Sequence, residues 1–233
     1  MKVSVVTLFP EIFEVFAKTS MVGRACMQGA LELELIALRE FGLGKHKSVD
    51  DTPYGGGSGM VLRLEPVVAA LESVDASACA PAHRVHLTPR GRPFDQHAAE
   101  RLSALPHVAL VCGRYEGFDD RLRHFIHEEV SLGDFVMTGG EVAAMAIIEA
   151  TARLLPNVLG NEGSSEHESF SASMCGGLEY PHFTRPVEFR GHAVPAVLSS
   201  GDHKRIEQWR REESARRTEE VRPDLLPTRE KGG

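Results

Sequence analysis

Short apolar runs alternate with helix-period stretches along most of the chain, a pattern that predicts βαβ units around a parallel sheet. Val3–Phe9 reads as a buried strand. Pro10 then opens a short helix, where its missing N–H costs nothing. Leu31–Leu38 alternates apolar and charged residues, as a strand with one wet face does. Leu64–Leu71 predicts a helix with Glu65 and Pro66 in its first turn. Arg84–Leu87 and Val108–Val111 predict two further strands, and between them Asp95 is placed to cap a helix ending near Ser103. Phe135–Met137 predicts a short strand flanked by glycines. Glu141–Leu155 is apolar nearly all round, which suits a helix that is central or held in an interface.

After Pro156 the pattern changes. Gly160–Gly177 is rich in Gly, Ser and Glu, with Phe170 and Met174 its bulky apolar residues, and predicts a flexible linker. Beyond it Asp202–Val221 predicts a long helix with Trp209 as anchor, stopped by Pro223. The expected organisation is an α/β domain at 1–159, a linker at 160–177 and a small helical domain at 178–233. No internal repeat is visible.

Composition narrows the function. The 233 residues carry a net charge of −7, so a nucleic-acid surface would have to be a local basic patch. The C-terminal helix offers one, with Lys204, Arg205, Arg210, Arg211, Arg216 and Arg217, although arginine among glutamates is commonly a solvated face laced with ion pairs. Lys45-His46-Lys47 is another basic cluster. No apolar run reaches the ~18 residues of a membrane helix. The N-terminal apolar stretch stops at Pro10 without a cleavage site, so a cytoplasmic protein is expected. Cys26, Cys79, Cys112 and Cys175 are scattered and read as reduced thiols. The pairs His83/His86 and His124/His127 lack a third ligand in phase, so no metal site is expected.

Four glycine-marked stretches are candidates for chemistry. Asp51–Gly59 (DTPYGGGSG) offers a backbone able to approach a ligand closely, and lacks the Lys-Ser/Thr of a P-loop; alone it reads equally well as a surface loop. Thr88–Phe94 (TPRGRPF) follows a predicted strand, where open α/β sheets bind ligands, though Pro89 and Gly91 also make an ordinary turn. Val111–Asp120 (VCGRYEGFDD) sets Arg114, Tyr115 and Glu116 between glycines, poor core material and good site material. Ser131–Glu141 (SLGDFVMTGGE) has no GxGxxG spacing, so a nicotinamide fingerprint is unsupported. Three glycine-rich strand exits in one domain predict a shared pocket.

Taken in order, the blocks LFPEIF (8–13), DDTPYGGGSGM (50–60), TPRGRPF (88–94), LVCGRYEGFDDR (110–121), SLGDFVMTGGE (131–141), LEYPHFTRP (178–186) and SGDHKRIEQWRREESARRT (200–218) resemble the bacterial tRNA (guanine-N1)-methyltransferases. The resemblance covers nearly the whole chain. It implies methylation of the guanosine just 3′ of the anticodon, with S-adenosylmethionine as donor, by a cytoplasmic homodimer whose active site lies at the interface. It implies an α/β fold whose parallel sheet carries a deep trefoil knot. The implied cofactor contacts are Leu87, Thr88, Pro89, Gly91, Gly113, Tyr115, Glu116, Leu132, Gly133, Asp134, Phe135, Val136, Met137, Gly139 and Gly140. The implied tRNA contacts are Asp50, Gly55, Gly59, Arg114, Ser165, Ser169, Lys204, Arg205, Arg210 and Arg211. Mg²⁺ is an optional accessory in this reading.

The reaction sets its own requirements. Guanine N1 carries a proton and is a poor nucleophile until that proton leaves. A carboxylate must accept it while a cation steadies the charge developing on the adjacent carbonyl oxygen. The resemblance places these roles on Glu168 and Arg153. It also marks a departure, because the family's base is usually an aspartate before Ser-Phe and this chain reads Glu168-Ser169-Phe170. Glu166 is out of register with Ser-Phe. Two other classes are weighed against this one. A non-enzymatic RNA-binding protein has no need of three glycine-rich strand exits, and a phosphate-ester hydrolase using Asp51 and GGGSG wants more clustered metal ligands.

Overall fold

The computed structural model describes residues 1–159 and 168–226. Two compact units divide the chain, 1–160 and 161–233. The first contains β1 (Lys2–Thr7), α1 (Phe13–Phe16), α2 (Ser20–Met27), β2 (Glu32–Ala37), β3 (Asp50–Asp51), β4 (Val61–Leu62), α3 (Leu64–Ala76), β5 (His83–Pro93), α4 (Gln96–Ser103), β6 (His107–Cys112), β7 (Glu128–Ser131) and α5 (Glu141–Ala152). Five strands form one sheet in the order β2-β1-β6-β5-β7, every neighbouring pair parallel. The α/β class expected from the alternating pattern is therefore observed.

Burial explains the order. β6 is buried along its whole length, as its unbroken run HVALVC requires of a central parallel strand. β2 lies at the edge, where the charges of its ELELIA alternation stay partly in water. One sheet face packs Val3, Val5, Val85 and Leu110 against Phe13, Val22, Ile147 and Ile148. The other packs Val6, Ala109 and Val111 against Val67, Leu71 and Val74 of α3. Asp95 caps α4 as expected, its side chain accepting from the Ala98 N–H at 2.8 Å.

Four local expectations are corrected. No strand forms at Phe135–Met137; the third strand exit belongs to Glu128–Ser131 instead. Glu128 and Glu129 hid that strand by breaking its apolar pattern. Both are answered by partners at the sheet edge, Glu128 by Arg101 and His83, Glu129 by His86. The helix begun at Leu64 continues past Leu71 to Ala76, and α5 stops at Ala152, short of Leu155. The pattern gave no sign of α2. Its Gly23 lies so close to the backbone of Lys18 that a Cβ would sit 2.5 Å from the Lys18 carbonyl carbon.

β5 holds the feature that shapes the site. It runs beyond Leu87 through the TPRGRP stretch, but Val130 of β7 is paired twice, with Leu87 and with Arg92. Residues 88–91 are thrown out of register between those pairings. Gly91 closes this excursion, and any Cβ there would fall on the backbone of Glu129 and Val130.

In the second unit, α6 (His203–Val221) begins at Asp202, whose carboxylate accepts from the N–H groups of Lys204 and Arg205. Ser214 and Thr218, one turn apart, clamp the preceding segment. Ser214 Oγ donates to Leu178 O at 2.6 Å and Thr218 Oγ1 accepts from Leu178 N at 2.9 Å. Trp209 lies 6.2 Å from the ring of Phe183, and Pro223 opens a 3-10 turn beyond α6. Of the stretch expected as linker, residues 168–177 carry a 3-10 turn at Ala172–Met174. They are tied by Phe170 N to Gly177 O at 2.7 Å and by Glu179 N to Ser169 Oγ at 3.1 Å.

Gly91→Ala is expected to lower stability by about 1–3 kcal/mol, the usual cost of overpacking. Urea unfolding measures it; an unchanged midpoint would contradict the packing of the excursion against β7.

Candidate active site

The three strand exits meet. The excursion after Leu87, the turn after β6 and the loop after β7 line one cleft of about 380 Å³ at the carboxyl end of the sheet, the place where open α/β sheets bind ligands. Of the fifteen residues assigned to the cofactor, all but Gly91 and Asp134 line this cleft. Gly91 serves the packing just described. The sequence reasoning missed His86 and Phe118, which also line it. In the sequence His86 reads as half of an HxxH pair. Its position one residue before Leu87 on β5 was the usable signal.

At Gly140 glycine is required because chain meets chain, and at Gly113 a side chain is tightly confined. A Cβ on Gly140 would lie 2.9 Å from Cys112 Cα and 3.0 Å from Gly113 N. Gly140 N donates to Gly113 O at 3.0 Å, which seats the start of α5 directly on the exit of β6. A Cβ on Gly113 would meet the Phe118 ring at 3.1 Å. Both glycines therefore line the cleft and also carry these intramolecular contacts. Tyr115 holds a left-handed φ of 59°, a conformation costly for a bulky residue. The turn it makes lets Glu116 N donate to Met60 O at 3.0 Å and Leu62 N donate to Gly117 O at 2.8 Å.

These bonds stitch the DTPYGGGSG loop to the cleft. That loop is the tip of the β3–β4 hairpin, with Gly55, Gly56, Gly57 and Gly59 all at positive φ. Gly59 is held against Glu116, where a Cβ would fall 2.7 Å from Glu116 Cγ. Asp50 and Gly55, assigned to tRNA, belong to the same hairpin.

Two ionisable groups, His86 at the cleft and Cys112 in the core behind it, are shifted by their surroundings. Burial holds His86 below its ordinary value, opposed by its 3.0 Å contact with Glu129. Burial, then the nearby Glu141 carboxylate, pushes the Cys112 thiol well above its ordinary value, so this cysteine is an inert core thiol. Among the described residues no group of three or more side chains is gathered to hold a metal ion. His83 stacks on His127 at 4.8 Å rather than pairing with His86.

The remaining assigned residues are distributed. Arg153 caps the C-terminus of α5 in the first unit, and Glu168 is the first described residue of the second. Ser165 and Glu166 lie outside the described residues. Ser169 Oγ is engaged with Glu179 N. On α6, Lys204 and Arg205 are exposed, Arg210 stacks on Tyr180 at 4.8 Å, and Arg211 contacts Glu207 at 3.2 Å. Arg114, assigned to tRNA, directs its guanidinium at Glu141 and Phe9.

Gly113→Val must displace the Phe118 ring. It is expected to weaken S-adenosylhomocysteine binding roughly tenfold or more, if the 1–3 kcal/mol of overpacking falls on the cleft. Calorimetric affinity equal to wild type would reject this cleft as the cofactor site.

Comparison with known proteins fits this geometry. The family described as tRNA (Guanine-1)-methyltransferase TrmD matches residues 1–228. The chain is 58 % identical over 245 residues to a Sorangium cellulosum protein named tRNA (guanine-N(1)-)-methyltransferase, covering 97 % of this chain and 93 % of the relative. Proteins of the same name from Geobacter metallireducens and Thermus thermophilus are 51 % and 49 % identical, each over 97 % of this chain and 91 % and 92 % of their own length. With a match of this length and three strand exits around one cleft, the chain belongs to the tRNA (guanine-N1)-methyltransferase family.

Proposed function

We propose that this protein transfers the methyl group of S-adenosylmethionine to N1 of the guanosine immediately 3′ of the anticodon in tRNA. The convergence of three strand exits on one cleft, in a chain matched to the family over residues 1–228, carries this reading. The cleft suits such a donor. Its walls are largely backbone at Pro89, Gly113, Gly133, Gly139 and Gly140, which supplies N–H and C=O groups to a polar nucleoside, while Leu87, Leu132 and Phe135 supply apolar surface.

The chemistry follows from the two assigned groups. Glu168 takes the N1 proton, and the freed lone pair attacks the methyl carbon. The carbon–sulfur bond breaks with its electron pair left on sulfur, giving S-adenosylhomocysteine. Arg153 steadies the negative charge that develops on the guanine carbonyl oxygen. The sulfonium needs little further activation, so alignment supplies the rest. No step in this scheme runs through Mg²⁺.

Residues 1–159 act as the cofactor domain and 178–233 as the tRNA-binding domain, joined through 160–177. The excursion at 88–91 and the seating of α5 on the β6 exit support a reading in which these loops belong to a deep trefoil knot. The protein acts as a homodimer with the site at the interface. Val142 on α5 and the loop residues Phe135 and Val136 are apolar and well exposed, which suits such a contact. The rest of α5 packs Ala143, Ala144, Ile147 and Ile148 into its own core. The exposed cations Lys204 and Arg205 suit tRNA phosphates.

Methyl transfer to unmodified transcripts tests the substrate. A transcript with guanosine after the anticodon should accept methyl groups, and one with adenosine there should not; equal labelling would overturn the assignment. Glu168→Gln keeps the size of the side chain and removes its proton-accepting charge. Single-turnover methyl transfer is expected to fall at least ~100-fold, with tRNA and donor binding little changed. Glu168→Asp tells whether the site is built around the longer side chain, in which case the rate drops, or around the family's shorter one, in which case it rises. A Glu168→Gln enzyme of near wild-type rate would remove Glu168 from the reaction.

A further inference from the structure

Glu141, the first residue of α5, is 1 % exposed and yet ionisable. Its Oε1 accepts from Thr7 Oγ1 at 2.8 Å, at the end of β1. Its Oε2 lies 2.9 Å from Arg114 Nη2, in the turn that leaves β6. The contact is an ion pair rather than an aligned hydrogen bond, since Oε2 has no donor in hydrogen-bonding geometry. Arg114 in turn lies over the Phe9 ring at 4.7 Å and donates from Nη1 to Thr138 O at 3.4 Å. Its backbone pairs with Gly139. One carboxylate therefore touches or reaches, through Arg114, the exits of β1 and β6 and the loop after β7. The last two are walls of the cleft.

Burying a carboxylate is costly unless its charge is met. Here the charge is met by Arg114 and by the positive end of α5. Truncating one partner leaves the other charge buried and unanswered, so the loops must separate to let in water. Gly139 leaves the guanidinium and carboxylate room to meet, because a Cβ there would fall on Arg114 Nε and 2.5 Å from Glu141 Oε2.

We infer that Glu141 is a positioning residue for methyl transfer: through its buried ion pair with Arg114 it holds the β6 and β7 exit loops at the spacing that fits the methyl donor, and Arg114 works inside the protein rather than on tRNA. This rests on the reading of the cleft as the donor site.

The test is a double-mutant cycle on the full chain, with S-adenosylhomocysteine titrated calorimetrically into wild type, Glu141→Gln, Arg114→Met and the double variant. Each single change is expected to weaken binding about tenfold, within the usual range of coupling between sites. The double variant should recover most of the loss, because neither charge is then stranded. Affinity for tRNA should stay within about twofold of wild type. At saturating donor the single-turnover rate should also be largely retained, so the effect lies in the donor's KM. A purely structural role would lower the unfolding midpoint without this split. If the single variants do not fold, Thr7→Val removes the 2.8 Å bond to Glu141, together with the 3.0 Å bond from Phe9 N, while leaving both charges in place, and should weaken donor binding by a smaller factor. Unchanged donor affinity in the folded variants, additive losses in the double variant, or a loss of tRNA affinity alone would overturn the inference. A wild-type protein that does not bind S-adenosylhomocysteine would instead reject the donor-site reading and this inference with it.

Discussion

The architecture of the site depends on one constraint, the backbone-to-backbone contact of loops that leave neighbouring strands. Gly91 lies against Val130, Gly140 against Cys112 and Gly113, and Gly139 against the Arg114–Glu141 pair. At each point a single methyl group would collide with main chain or with a buried charge. A parallel sheet ordinarily splays its exit loops apart over the helices that follow. Here the loops are drawn together tightly enough to wall a cleft, and glycine is the residue that permits it.

Much of this was legible in the chain. The alternating apolar runs mark the parallel sheet, and the run at Val108–Val111 marks one of its strands, although not its central place. Asp95 and Asp202 mark two helix starts by the chemistry of their caps. The glycine-rich exits mark the cleft. What stayed hidden was non-local. β7 could not be seen because Glu128 and Glu129 interrupt its apolar pattern, and their partners Arg101, His83 and His86 are remote in sequence. Phe135–Met137 imitates a strand by composition, but no neighbouring strand is there to pair with it.

The glycines teach a related point. Gly113 and Gly140 are assigned to the cofactor by resemblance. In the fold they also carry intramolecular contacts that draw the walls of the cleft together. Arg114 is similar. Assigned to tRNA by resemblance, it also holds its guanidinium against a carboxylate 27 positions on. Partners that decide a side chain's role are supplied by topology, which periodicity does not encode.

The central claim, that the three exits form one donor site, is tested most directly by hydrogen exchange with and without S-adenosylhomocysteine. The ligand is predicted to slow exchange together at 86–91, 113–118 and 131–140, and to leave α3 and α6 unchanged. Protection confined to one of these loops, or lying on α3 or α6 instead, would contradict the account.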